Sequence, residues 1–197
     1  MDPAAAVLDF WFGAEDLPRK DWFRRSDAFD AAVRERFGDL LERALRGELD
    51  AAWHADRDGL LAGIVLLDQL TRNAFRGTPR AFAGDPAAQA LARRLVDTGL
   101  DAAPPCWSPL RRQFALLPFE HAEDLALQDE SVRRFRALAA EAEGGPHAAS
   151  LREALDYAER HREVIRRFGR FPHRNEILGR ASGPEEIEFL RQPGSRF

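Results

Sequence analysis

The feature that most restricts the fold is punctuation. Asp2-Pro3, Asp85-Pro86 and Ser108-Pro109 each set a capping side chain before a proline, and proline is tolerated in a helix's first turn because the amide it lacks has no partner there anyway. Ser182 with Glu185 has capping-box spacing. Gly13, Gly47, Gly77, Gly99 and Gly169 each follow an apolar-periodic stretch and suit the close of a helix. These marks predict helices near 3–12, 26–46, 58–75, 86–98, 109–116, 118–127, 130–142, 147–168 and 184–191. No stretch alternates apolar and polar residues with the valine, isoleucine and threonine content of a strand, so the expected class is all-α. Leu60, Ile64, Leu67 and Phe75, with Val65 and Leu66 beside them, make the third segment apolar nearly all round, as a helix surrounded by its neighbours would be. The connections at 101–107 and 143–146 are too short to separate domains, which predicts a single domain over 1–197.

Composition narrows the function classes. A chain of 197 residues, 45% hydrophobic and 31% charged, has a globular balance. Its net charge of −4 argues against a general nucleic-acid or anionic-membrane binder. Lys20 is the only lysine among 29 basic residues, which leaves little room for Schiff-base or phosphate-loop lysine chemistry. The single cysteine, Cys106, forms no intrachain disulfide and reads as a packed thiol, in line with a reducing compartment. No stretch reaches the roughly 18 apolar residues of a membrane span. The expectation is a cytoplasmic protein with no nucleic acid and no membrane as partner.

Three polar constellations stand out. At the end of the most apolar helix lie Asp68, Gln69, Arg72, Asn73 and Arg76. Helical spacing places Asp68 and Arg72 one turn apart, with Gln69, Asn73 and Arg76 in a neighbouring row. Amides and guanidinium groups are costly to bury unless they find partners, so this end forms either an internal network or a ligand cavity. The second constellation, Glu120-His121-Ala122-Glu123-Asp124, is expected to open a helix. There His121 is a candidate general base, oriented by Asp124 or Glu120. The third surrounds the end of the long helix, where His161 lies on the apolar face with Tyr157, Val164, Ile165 and Phe168. A short loop beyond Gly169 displays Arg170, His173, Arg174 and Asn175. Arg160, Arg162, Arg166, Arg167, Arg170, Arg174 and Arg180 make this stretch a basic locality in an acidic chain. The spacing of His121, His161 and His173 carries no metal signature, and neither a metal nor another cofactor is expected. Trp11, Trp22, Trp53 and Trp107 read as core residues.

Four blocks, Val7–Gly13 (VLDFWFG), Leu66–Phe82 (LLDQLTRNAFRGTPRAF), Leu117–Gln128 (LPFEHAEDLALQ) and Phe168–Arg180 (FGRFPHRNEILGR), together resemble an uncharacterised bacterial family catalogued as domain of unknown function 924. The resemblance spans essentially the whole chain. It implies a tetratricopeptide-like superhelix of stacked antiparallel helix pairs and supplies no activity. It also implies that the family's hallmark positions fall on the polar residues already singled out. Members often carry serine where this chain has Ala122, so no hydroxyl nucleophile is expected there.

Two functions follow as expectations. The first is a binding module whose arginine- and histidine-lined pocket takes an anionic small molecule or a peptide end, with Asp68, Gln69, Arg72, Asn73, Arg76, His161, Arg170, His173, Arg174 and Asn175 as ligand-binding residues. The alternative is a hydrolase-like enzyme in which His121 is the general base beside Asp124 and Glu120. The end helix near 184–191, followed by Phe197, docks either on the body or on a second copy in a homo-oligomer.

Overall fold

The computed structural model describes residues 2–13, 18–19, 22, 24–102 and 107–195. Lys20, Cys106 and Phe197 lie outside the described residues. Helices account for the regular structure, and no strand occurs among the described residues. Helix α1 spans Pro3–Phe12, with the Asp2 carboxylate accepting from the Ala4 amide. Ser26 caps α2 (Asp27–Leu45) and Asp56 caps α3 (Arg57–Ile64). The chain then continues without a break through a π-helical turn, Val65–Leu70, into α4, Thr71–Ala74. After α5 (Asp85–Asp97) come α6 (Pro109–Glu120), α7 (Leu125–Glu141), α8 (Ala148–Phe168) and α9 (Pro184–Leu190). Gly169 ends α8 at φ 68°, the left-handed conformation that a side chain would oppose.

Three local expectations are corrected. Pro118 does not divide two helices. It sits inside α6, which runs to Glu120 despite the missing amide, and α7 begins only at Leu125. The second constellation therefore closes one helix and bridges to the next instead of opening one. Asp85 is the first residue of α5 and not its cap, which leaves its carboxylate free for tertiary partners. The box at the start of α9 is closed by Glu186, whose carboxylate accepts from the Gly183 amide at 2.7 Å, while the Ser182 hydroxyl takes a bond from Asn175.

The segment 57–74 is the centre of the molecule, packed by α1, α2, α5 and α6. Beyond it α6, α7 and α8 pack one on the next. All four tryptophans are buried. Phe114 lies 5.4 Å from Trp11, 4.7 Å from Trp22 and 5.5 Å from Phe12. Emptying such an aromatic position costs about 3–5 kcal/mol. Among the described residues, no helix is long and apolar enough to cross a membrane.

Candidate functional site

The π-helical turn builds the site. Its wider turn carries Asp68 and Gln69 at the end of a buried helix, and π turns inside α-helices are frequent at functional positions. The loop before α5 lies directly upon it: a Cβ on Gly84 would collide with the Leu67 carbonyl. This close approach brings Asp85 alongside Arg72, with Arg72 Nη1 2.9 Å from Asp85 Oδ1 and Nη2 3.1 Å from Oδ2. Arg174 completes the lattice, donating from Nη1 to Asp85 Oδ2 at 3.1 Å and from Nη2 to the His121 carbonyl at 3.1 Å.

At the centre is a carboxylate–imidazole dyad. Asp68, 0% exposed, has its Oδ1 2.7 Å from His121 Nδ1 and also pairs with Arg72 at 3.1 Å. Gln69 donates to the other Asp68 oxygen. Burial alone would raise the pKa of Asp68, but Arg72, His121 and Gln69 outweigh it and hold the carboxyl well below its ordinary value. An ionised Asp68 only accepts, so His121 donates its Nδ1–H, and the neutral tautomer that makes this bond has its lone pair on Nε2. The backbone beneath the imidazole is fixed by buried Gln128, whose side-chain amide donates to the carbonyls of Glu120 at 2.6 Å and Ala122 at 2.8 Å.

A second acid and imidazole adjoin the dyad. Glu120 Oε1 lies 3.2 Å from His161 Nδ1, and the His161 ring centroid is 6.3 Å from that of His121. His161 Nδ1–H is donated to the Tyr157 carbonyl at 2.8 Å. Burial, with Asp68 nearby, pushes the Glu120 carboxyl up to about 8. Burial and the adjacent His121 push His161 well below its usual 6.5.

His121 also lines a cavity of about 370 Å³ whose other walls include Phe82, Pro86 and Leu178 on the apolar side and Asp85, Gln89, Glu123 and Arg174 on the polar side. Arg174 is sandwiched between the rings of Phe82 and Phe171, each 4.6 Å from its guanidinium carbon. Burial and the charge of Arg72 bring Arg174 down to about 10.

The sequence candidates divide between separate places. Asp68, Gln69, Arg72, Glu120, His121, His161 and Arg174 converge. Asn73 and Arg76 instead hold Asp30 of α2, at 2.8 Å from Asn73 and 2.6 Å from Arg76. Asp124 does not orient His121; its carboxylate accepts from the Leu127 amide at 2.9 Å as the cap of α7, and Asp68 takes the orienting role. Arg170 is bound by Glu186 and the Ala181 carbonyl, and Asn175 by Ser182 and Arg180, so both tie down the chain before α9. The His173 ring lies tilted against Phe171, with centroids 5.5 Å apart. The basic locality is largely cancelled by acids: Arg162 faces Asp129, Arg166 Glu163, Arg167 Glu185, Arg174 Asp85 and Arg180 Glu123. Sequence reasoning missed Asp85, because Asp before Pro reads as a cap, and Gln89, which carries no local signal. Among the described residues, no group of three or more histidine, cysteine or acidic side chains is placed to hold a metal.

A structure titled "Structure of Protein of Unknown Function ATU0120 from Agrobacterium tumefaciens" is similar at 41% identity and a TM-score of 0.80, covering 95% of this chain and 96% of that one. No curated protein matches. The profile of a family described as "Bacterial protein of unknown function (DUF924)" matches residues 7–194, and the chain belongs to that family.

Proposed function

We propose that the chain is a hydrolase-like enzyme in which His121 is the general base and Asp68 its orienting carboxylate. The observation that supports this best is the sealed Asp68 bonded to Nδ1 of an imidazole that borders a cavity, at 2.7 Å. Nε2 would take a proton from water as the water oxygen bonds to the substrate's acyl carbon, then return it to the departing oxygen. Asp68 stabilises the imidazolium between the two steps. The charged walls are neutralised within the protein, Asp85 by Arg72 and Arg174 and Glu123 by Arg180, which favours a neutral ester over an anion. The test is turnover of p-nitrophenyl butyrate against p-nitrophenyl phosphate. We expect the ester to be hydrolysed and His121→Gln to lower the rate about 100-fold or more. Equal rates for the wild type and His121→Gln would sink the assignment.

One observation favours the binding module as a second reading. Arg174 Nε is buried beside the cavity without a hydrogen-bond partner. An anionic small molecule or peptide end that displaced Asp85 would engage this guanidinium, and saturable heat on titration with inorganic phosphate would favour this reading. We further read residues 1–197 as one tetratricopeptide-like domain, supported by the consecutive packing of α6, α7 and α8, and as a cytoplasmic protein. Nucleic acid does not fit the acid-paired arginines. Self-association would use α9, where Ile187 is exposed.

A further inference from the structure

The described acids sealed in the interior have arginine partners, with one exception. Asp30 has Arg76, Asp68 has Arg72, Asp85 has Arg72 and Arg174, Asp101 lies 3.8 Å from Arg134, and Glu186 has Arg170. Glu120, 4% exposed, has none among the described residues; its ionic neighbour is His161. That imidazole is a poor substitute, since its Nδ1–H is already donated to the Tyr157 carbonyl and its burial favours the neutral ring. An unpaired carboxylate in such a place is far more costly than a protonated carboxyl.

The elements packed about Glu120 and its helix carry few charged or titratable groups on that side. The π-helical turn contributes Asp68, to which Arg72 of α4 and His121 are bound. Helix α8 contributes His161. From α5, Asp85 reaches the site through Arg72 and Arg174, and Arg93 stacks on Phe119 at 5.0 Å. Asp58 of α3 is held by Trp107 ahead of α6. From α7 the uncharged Gln128 bonds the Glu120 carbonyl.

We propose that Glu120 is a positioning residue of the His121 site that works as the neutral carboxylic acid, leaving Asp68 as the one anion bonded to the imidazole. When Glu120 ionises, a second anion stands beside the dyad. A second anion raises the proton affinity of the imidazole, so the neutral acid is the form that keeps the His121 lone pair available down to lower pH. The proton affinity of His121 is thus tuned by a residue that does not line the cavity. The functional consequence rests on the general-base reading above; the protonation itself does not.

The experiment is an NMR titration of the full chain from about pH 5 to 10, following the carboxyl carbon of Glu120 and the ring nitrogens of His121. The Glu120 carbon is expected to report the acid form until it titrates near 8, with a matching inflection at His121. Glu120→Gln should erase that inflection from His121 and Glu120→Asp should retain one. A Glu120 carboxyl that titrates below about pH 6 overturns the proposal. So does a His121 inflection that survives Glu120→Gln, or a Glu120 step that His121 does not sense. The carboxyl measurement uses the unaltered protein, so it decides the matter even if a variant fails to fold. Absent ester turnover with both titrations as expected would remove the hydrolase reading and leave this one standing.

Discussion

Two clusters hang from the same helix end, and they do different things. Around Asp30, the Arg76 guanidinium and the Asn73 amide converge on one carboxylate, joining α2 to α4. Around Asp68, Arg72 and the Gln69 amide make the same kind of embrace, but His121 enters as well and Glu120 sits close by. The first cluster is a clamp whose donors and acceptors are matched by groups that stay charged or neutral across ordinary pH. The second contains an imidazole and a carboxyl that burial pushes up to about 8. Residue inventory does not separate the two; a titratable group left without an arginine does.

The comparison can be broken most severely at Asp68. Asp68→Ala leaves Arg72 short of a partner in the interior and should destabilise the fold by about 3–5 kcal/mol, read as a lower denaturant midpoint, and should free the His121 tautomer. Asp30→Ala should cost less, roughly 1–2 kcal/mol, because the Arg76 side chain is 36% exposed and regains water. The His121 titration should not move in that variant; if it does, the clusters are one network. Glu120→Gln probes how the difference depends on pH. A carboxyl whose pKa rises from 4.5 to about 8 on folding contributes stability that is full below 4.5 and lost as pH climbs through about 8. Glu120→Gln should therefore melt like the wild type near pH 4.5 and be the more stable protein at pH 9, and a constant difference across that range would contradict the assignment.

Much of this was legible in the chain, and the misses share a cause. The starts at Asp2 and Ser108 and the stop at Gly169 were readable because a cap acts within one turn of its own backbone. Pro118 misled because its local preference against a helix interior was overridden by tertiary packing: Phe119 is sealed in the core and the end of α6 is held by Gln128. Among the candidate groups, the sequence singled out His121 but offered Asp124 and Glu120, its neighbours along the chain, as the carboxylate. The actual partner, Asp68, is 53 residues away.

The sequence by itself therefore determined the helical class, most helix limits, the buried central segment and the inventory of polar groups, since each depends on side-chain periodicity or on bonds within a few residues. Only the tertiary structure decided which carboxylate meets which cation. It brought Arg174 to Asp85 across 89 residues, left Asn73 and Arg76 to a structural clamp, and gave Glu120 no arginine among the described residues. Those pairings follow from where packed helices place their ends, and the electrostatics of a buried group are set by those neighbours and not by its own residue type.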